Sequence, residues 1–391
     1  MLRLISLAEA RSRELSAALL AAILLIHLGN VLVPAVHVDE ASHVNVSATL
    51  ATLGEYGNTW QFGHLITPDR IASTGPPVIF QAALAWKLGI RGPVGIRLAV
   101  MTPFFAGFLF LFRRLLSDFD WETQLLTLAL FLGIPGWGLF SARVLGEFPA
   151  LFFLCLGAVC MLEQRFQLGG LAWGFAAASK VLFHPRNFPL HLASLNDYVP
   201  LVLVVLAFVF GWMERRSSPK LFFFCCLSSF WCVWHLVGFR GWLRYALPGL
   251  ILLMPPLAAA LRSIRRQQLP WYIKLSFFAT VTAFIFLGLY DNTYSIWTQY
   301  KAWRGQSQVV RYVQAHRGRR FLAEGLFSPY PDYLWLTGCR FQELRTVRPS
   351  TGDIVVLREG NSFLRREMET NTIGNWRFVF ATPEVDVYER R

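Results

Sequence analysis

Charge is what this chain has least of. Only 16% of its 391 residues are Asp, Glu, Lys or Arg, against 54% apolar and 15% aromatic, which is too little polar surface to coat a soluble globule of this size. The mean hydropathy of +0.42 agrees. Acids are the scarcer sign, 24 against 37 lysines and arginines, but a net charge of +13 in so apolar a chain reflects basic loops beside a membrane, not nucleic-acid binding. The sequence has no Gly-rich phosphate loop and no Cys-x-x-Cys metal spacing, so nucleotide-binding and zinc-module classes have no support. Five of the six cysteines, Cys155, Cys160, Cys225, Cys226 and Cys232, fall in apolar runs, leaving Cys339 alone in polar sequence; no disulfide framework is implied. Internal repeats and low-complexity segments are absent too.

What is present is a series of long apolar runs. A helix crossing the hydrocarbon needs roughly 20 mainly apolar residues, and the runs 15–36, 96–112, 121–140, 148–162, 171–182, 198–213, 221–238, 246–261 and 271–290 predict nine spans. Arg3, Arg11 and Arg13 precede the first, which is too long for a signal-peptide core and lacks a cleavage pattern, so it reads as an uncleaved span. The run 76–90 contains Lys87 and is short enough to lie along the interface. With the amino terminus cytoplasmic, the clusters Arg113 and Arg114, Arg165, Arg215 with Arg216 and Lys220, and Arg262 with Arg265 and Arg266 all fall inside. The segments 39–75, 141–147, 183–197 and 238–245, and everything after 291, then face outward. Composition changes near residue 300. Alternating runs at 320–323, 353–357 and 377–380 predict strands, and 307–316 and 362–370 predict helices, together a small soluble α/β domain over 301–391.

Acids gather at the outer ends of these spans. His37-Val38-Asp39-Glu40-Ala41-Ser42-His43 follows the first, and Glu147 ends a second outer connection. A carboxylate is costly near hydrocarbon, so each is a functional candidate. Cations share that face: Arg143, Lys180 and Arg244. Carboxylate plus cation suits transfer of a sugar from a lipid phosphate. The acceptor hydroxyl must lose a proton to a base, and charge building on the departing phosphate must be stabilised. Each residue also has a plainer role open to it. Asp39, Glu40 and Glu147 could serve as helix-start acids, Lys180 could snorkel to the interface, and Arg97 and Arg143 could pair with acids. His37, Asp39 and His43, with His64 further on, form a weak candidate set for a divalent ion, at a spacing that is not diagnostic. Asn45-Val46-Ser47 matches a glycosylation sequon, informative only in a eukaryotic secretory pathway.

Six short motifs occur in a telling order: Asp39-Glu40 after the first span, Ser73-Thr74-Gly75-Pro76-Pro77, Gly95-Ile96-Arg97-Leu98, Ser141-Ala142-Arg143-Val144-Leu145-Gly146-Glu147, Ala178-Ser179-Lys180, and Arg244-Tyr245-Ala246-Leu247-Pro248. In this order the chain resembles the GT-C glycosyltransferases, and more narrowly the protein O-mannosyltransferase and aminoarabinose transferase group, families 39 and 83. The resemblance covers roughly the first 260 residues. It implies an α-helical polytopic membrane fold, here a domain over 1–300 whose first outer loop (37–92) carries juxtamembrane helices, followed by the 301–391 domain on the outer side. It implies that Asp39 acts as catalytic base or positions the acceptor, with Glu40 as the alternate and Glu147 as the second-loop acid. Lys180 and the Arg244–Tyr245 pair would serve the donor phosphate, with Arg143 and Arg97 as further candidates. One departure stands out: relatives often carry His or Lys immediately before Pro-Pro, where this chain has Gly75.

The expected activity is therefore inverting sugar transfer from a polyprenyl-phosphate donor to a lipid, glycan or protein acceptor at the extracytoplasmic face of a bacterial inner membrane, with no required cofactor and no nucleic-acid partner. Two other classes remain open on sequence: a transporter or flippase of lipid-linked sugars, and a non-catalytic assembly subunit on the same scaffold. Transporters tend to carry charge at the midplane and paired repeats. Here the ionisable residues collect at one face.

Overall fold

The computed structural model describes residues 2–61, 64–66, 74–179, 209, 218–238, 243–266, 268, 270–323, 330–344, 347–358, 375–382 and 385–391. In chain order the elements begin α1 (Leu2–Leu32), α2 (Val38–Leu53), β1 (Asn58–Gln61), β2 (His64–Ile66), α3 (Pro76–Lys87) and α4 (Pro93–Leu116). They continue α5 (Trp121–Gly133), α6 (Trp137–Ala142), α7 (Glu147–Leu162), α8 (Phe166–Ser179), α9 (Pro219–Gly238), α10 (Leu243–Arg266) and α11 (Trp271–Ala315). The chain ends with β3 (Phe321–Ala323), α12 (Tyr330–Thr337), β4 (Phe341–Glu343), β5 (Ile354–Arg358), β6 (Trp376–Ala381) and β7 (Val385–Arg390). Contacts divide the chain into two compact units, Met1–Asn30 with Met101–Ile296, and Val31–Val100 with Trp297–Arg391.

The first unit is helical. Among the described residues four helices are long and apolar enough to cross a membrane: Arg11–Leu32, Pro93–Leu116, Ala246–Arg265 and Trp271–Ala315. Shorter apolar helices cover Glu147–Leu162 and Pro219–Cys232, and the predicted span 198–213 lies almost wholly outside the described residues. One predicted span is corrected: 121–140 is not a single helix but α5 and α6, broken at Ile134-Pro135-Gly136. Pro135 lacks the N–H a helix would use, and Gly136 turns through a left-handed φ of 74°. The core is aromatic. Phe105 stacks on Trp137 with centroids 5.8 Å apart, Trp137 meets Phe131 at 4.7 Å, and Phe108 and Phe148 close the cluster.

The basic clusters do not stand alone. Arg114 bonds Glu163, Lys220 reaches Asp118 at 2.6 Å, Arg262 bonds Asp120, and Arg265 reaches Glu122 at 2.7 Å. The ends of α4, α7 and α10 and the starts of α5 and α9 are thereby tied together at one end of the unit. Elsewhere two backbones touch: a Cβ on Gly288 of α11 would lie 2.0 Å from the Gly133 carbonyl oxygen of α5.

In the second unit a five-stranded sheet runs in the order β4-β3-β5-β7-β6, with β3 parallel to both β4 and β5, and β7 antiparallel to β5 and β6. Strands β3, β5 and β6 fall where alternation places them. The predicted helix 307–316 is instead the last turns of the 45-residue α11, and 362–370 lies outside the described residues. Both sheet faces are covered: Val309, Val313, Phe321, Ile354, Val356 and Val387 build one core, and Leu322, Val355, Leu357, Trp376 and Tyr388 the other. Burial on both faces is why β3 and β5 read as unbroken apolar runs. At the sheet's end Arg320 forks onto the buried Asp353, with Nε 3.1 Å from Oδ1 and Nη2 2.5 Å from Oδ2. Burial pushes the Asp353 carboxyl up, but its bonds from Arg320 and Ser350 outweigh this and hold it below the ordinary carboxylate range.

Two outcomes follow. Gly288→Ala should lower the melting temperature in detergent by an amount equivalent to about 1–3 kcal/mol of overpacking, whereas Gly170→Ala within α8, whose Cβ meets nothing within 4 Å, should raise it slightly, by up to about 1 kcal/mol of helix propensity. Because the Asp353 pKa is depressed, its stabilisation is complete above the unfolded value of about 3.9 and is lost as pH falls through the lower folded value. Hydrogen exchange of β3 and β5, corrected for intrinsic rates, should therefore rise below about pH 4 in the wild type, and less steeply in Asp353→Asn.

Candidate active site

The acid pair sits in the first turn of α2. His37 caps that helix in an extended conformation, and its Nδ1 accepts from the Asp39 N–H at 3.3 Å. Gly54, left-handed at φ 77°, closes the other end. Acids at this position favour the helix, because the free N–H groups of the first turn attract negative charge. Neighbours on a helix point about 100° apart, and here that separates the two carboxylates. The Glu40 side chain is fully buried, while that of Asp39 keeps 31% of its surface exposed.

Glu40 is committed to Arg97. The guanidinium of α4 donates from Nε to Oε1 at 2.7 Å and from Nη2 to Oε2 at 2.6 Å. It also donates from Nη1 to the Val33 carbonyl at 2.5 Å and from Nη2 to the Ala35 carbonyl at 2.6 Å. Arg97 is itself fully buried. Of the two roles weighed for it, contact with a donor phosphate or pairing with an acid, the geometry shows the second. The adjoining connection is clamped again by Gln306 of α11, whose Oε1 accepts from the Val36 N–H at 3.0 Å and whose Nε2 donates to the Val36 carbonyl at 2.9 Å. The result is a rigid approach to Asp39, with α2 anchored through its neighbour. Gly75 caps α3 without a side-chain bond, and Pro76 and Pro77 occupy its first turn, a start favoured because neither proline needs an N–H partner there.

In the first unit Arg143 ends α6 and Glu147 begins α7, and both are buried. The turn between them is tight, with the Leu145 N–H donating to the Arg143 carbonyl at 2.7 Å. Three other helices hold the segment that leads into it. From α1, His27 lies 2.9 Å from Ser141 Oγ and 3.3 Å from Thr102 Oγ1 of α4, and stacks on Phe105 at 4.1 Å. The Ser141 hydroxyl donates to the Gly138 carbonyl, so its oxygen accepts the hydrogen bond from His27 Nδ1–H. From α11, Asn292 accepts from the Gly138 N–H at 2.8 Å and donates to the Ile134 carbonyl at 2.8 Å, while Asp291 accepts from the Gly136 N–H at 2.9 Å. Sequence reading missed His27 and Asn292. A histidine within the first apolar run was the available signal; Asn292 lies just past a predicted span and gave none.

The remaining candidates are placed less fully. Lys180 lies outside the described residues, as does Ser73. Arg244 and Tyr245 fall in the first turn of α10 and His64 in β2, their side chains outside the described set. His43 is buried in α2. Among the described residues no group of three His, Cys, Asp or Glu side chains gathers closely enough to hold a metal ion.

Removing either partner of the Glu40–Arg97 pair strands a buried charge, which costs about 3–5 kcal/mol. Arg97→Leu and Glu40→Leu should each lower thermal stability strongly, and the double variant should be less destabilised than the sum of the two. Additive losses in melting temperature would show that the pair is not coupled.

No family model matches the chain, and no curated protein matches it in sequence. Two solved structures do match in fold. A crystal structure of ArnT from Cupriavidus metallidurans bound to undecaprenyl phosphate aligns with a TM-score of 0.60 at 10% identity, covering 95% of this chain and 97% of that one. The same protein in the apo state aligns at 0.56, with equal identity and coverage. At 10% identity the likeness is one of fold, and it runs nearly end to end: this chain is similar in architecture to the GT-C membrane glycosyltransferases of the aminoarabinose transferase kind.

Proposed function

We propose that this chain is an integral membrane glycosyltransferase that uses a polyprenyl-phosphate-linked sugar. The observation that carries the reading is the near end-to-end fold likeness to a transferase seen with undecaprenyl phosphate. In support, an acid with part of its surface open stands in the first turn of α2, beside a carboxylate fully occupied by Arg97. Asp39 is thus the base of choice, and Glu40 a positioning residue that fixes the turn carrying it.

The proposed step balances simply. The acceptor hydroxyl gives its proton to the Asp39 carboxylate while its oxygen forms a bond to the anomeric carbon. The bond from that carbon to the phosphate oxygen breaks on the opposite face, with inversion, and the polyprenyl phosphate departs with the electron pair. Glu147 is proposed to orient the acceptor, and Lys180, Arg244, Tyr245 and Arg143 to stabilise charge on the leaving phosphate. A polytopic topology with a cytoplasmic amino terminus, a boundary near 300/301, and residues 301–391 on the outer face complete the proposal. So do a lipid, glycan or protein acceptor and a reaction without metal.

The test is product analysis by mass spectrometry, using purified protein with candidate polyprenyl-phosphate sugars and acceptors. Asp39→Asn should lose about 10²- to 10⁴-fold in transfer rate, the range for a general base, with its melting temperature retained. Lys180→Ala should weaken use of the donor equally for every acceptor. Full activity in Asp39→Asn would remove it as the base. No transfer with any donor, alongside movement of lipid-linked sugar across vesicles, would favour the flippase reading.

A further inference from the structure

The helix α11 is far longer than a membrane requires. Its 45 residues rise about 67 Å, whereas the hydrocarbon core is about 30 Å thick and the whole bilayer with its headgroup layers about 40–45 Å. Aromatic residues mark two levels on it. Trp271 and Tyr272, both exposed, stand at its start. Trp297 and Tyr300, also exposed, follow 26 and 28 residues later, a rise of about 39–42 Å. That separation matches one headgroup layer to the other, where Trp and Tyr collect.

At the second level the rings carry cations. Lys301 Nζ lies 5.6 Å from the centre of the Trp297 ring, and Arg304 Cζ lies 5.8 Å from the centre of the Tyr300 ring. The four residues follow the i, i+3, i+4, i+7 pattern, so they share one helix face, and both cations are exposed. No acid follows Asp291 in the helix, and the Asp291 carboxylate accepts from the Gly136 N–H. On the preceding turns of the helix, Phe286 and Leu287 are exposed apolar residues, followed by Tyr290 stacked on Tyr294. Along the helix the exposed side chains therefore pass from hydrocarbon to ring and hydroxyl to cation. A phospholipid presents the matching order from acyl chain to glycerol to phosphate.

We infer that Trp297, Tyr300, Lys301 and Arg304 form a binding surface for the phosphate of an anionic bilayer phospholipid. The rings hold the two cations against the helix, and the cationic N–H groups donate to the phosphate oxygens. This surface is independent of the sugar-transfer proposal and needs neither a donor nor an acceptor to be observed.

Native mass spectrometry of the full chain in detergent, titrated with phosphatidylglycerol or phosphatidylcholine of the same acyl chains, tests it. The wild type should retain the anionic lipid about five-fold or more over the zwitterionic one, on the order expected for one cation near a charged lipid surface. K301Q/R304Q should lose that preference. K301R/R304K, which keeps both charges, should retain it, as should R317Q/R340Q, which removes two exposed charges elsewhere. Melting temperatures confirm that each variant is folded; were K301Q/R304Q unfolded, K301Q and R304Q singly should each reduce the preference. Equal retention of the two lipids by the wild type would overturn the inference. So would a preference that survives in K301Q/R304Q, or dimers of the wild type that the variant loses, which would identify a second copy of the chain as the occupant.

Discussion

Leaving a polar group unpaired where no water reaches it is costly, and this cost shapes both units of the protein. The guanidinium of Arg97 is fully buried, and it persists there because Glu40 and two backbone carbonyls accept its protons. Those carbonyls, of Val33 and Ala35, belong to the connection that follows α1, beyond its helical ladder. One side chain thus holds the connection after α1, neutralises an acid and fixes α2. Gln306 does the same for Val36 with a neutral amide.

The same requirement explains the break between α5 and α6. Pro135 and Gly136 interrupt the helix, which frees backbone groups, and Asp291 and Asn292 of α11 satisfy them, the Asn292 bonds being buried. Close passage of Gly288 against Gly133 brings those side chains within reach. His27 and Ser141 then hold the far end of α6, so the turn from Arg143 to Glu147 begins from a fixed point. Rigid support beneath an acid-bearing turn is what a site needs when its chemistry depends on placing a carboxylate within hydrogen-bond reach of its target.

Much of this was legible in order along the chain. The apolar runs at 15–36, 96–112 and 246–261 fall on long helices because length and hydropathy suffice to specify a helix in a medium that offers no other backbone partner. Strands β3 and β5 fall where the alternating apolar runs at 320–323 and 353–357 predict them, although burial on both sheet faces makes them unbroken apolar runs. Strand β7 was not legible, since Asp386 and Glu389 interrupt its apolar residues, although β6, one of its antiparallel partners, directly precedes it. The span expected over 121–140 failed at Pro135-Gly136, a turn signal that hydropathy outweighed. For the candidate site, Asp39, Glu40, Arg97, Arg143 and Glu147 were all picked out as residues, but that Arg97 would pair with Glu40 was not.

By itself, then, the sequence determined that this is a polytopic membrane protein with acids at the ends of its spans, and it pointed through six short motifs to the GT-C fold. Those properties are local or additive: hydropathy sums along a window, and a motif needs only its own neighbours. Tertiary structure alone decided which carboxylate Arg97 holds. Glu40 and Arg97 are 57 residues apart, Gln306 and Val36 are 270 apart, and no pattern in one sequence reports which distant donor will meet an acid. Adjacent in sequence, Asp39 and Glu40 became different chemical groups because a helix turned one toward Arg97 and left the other partly open.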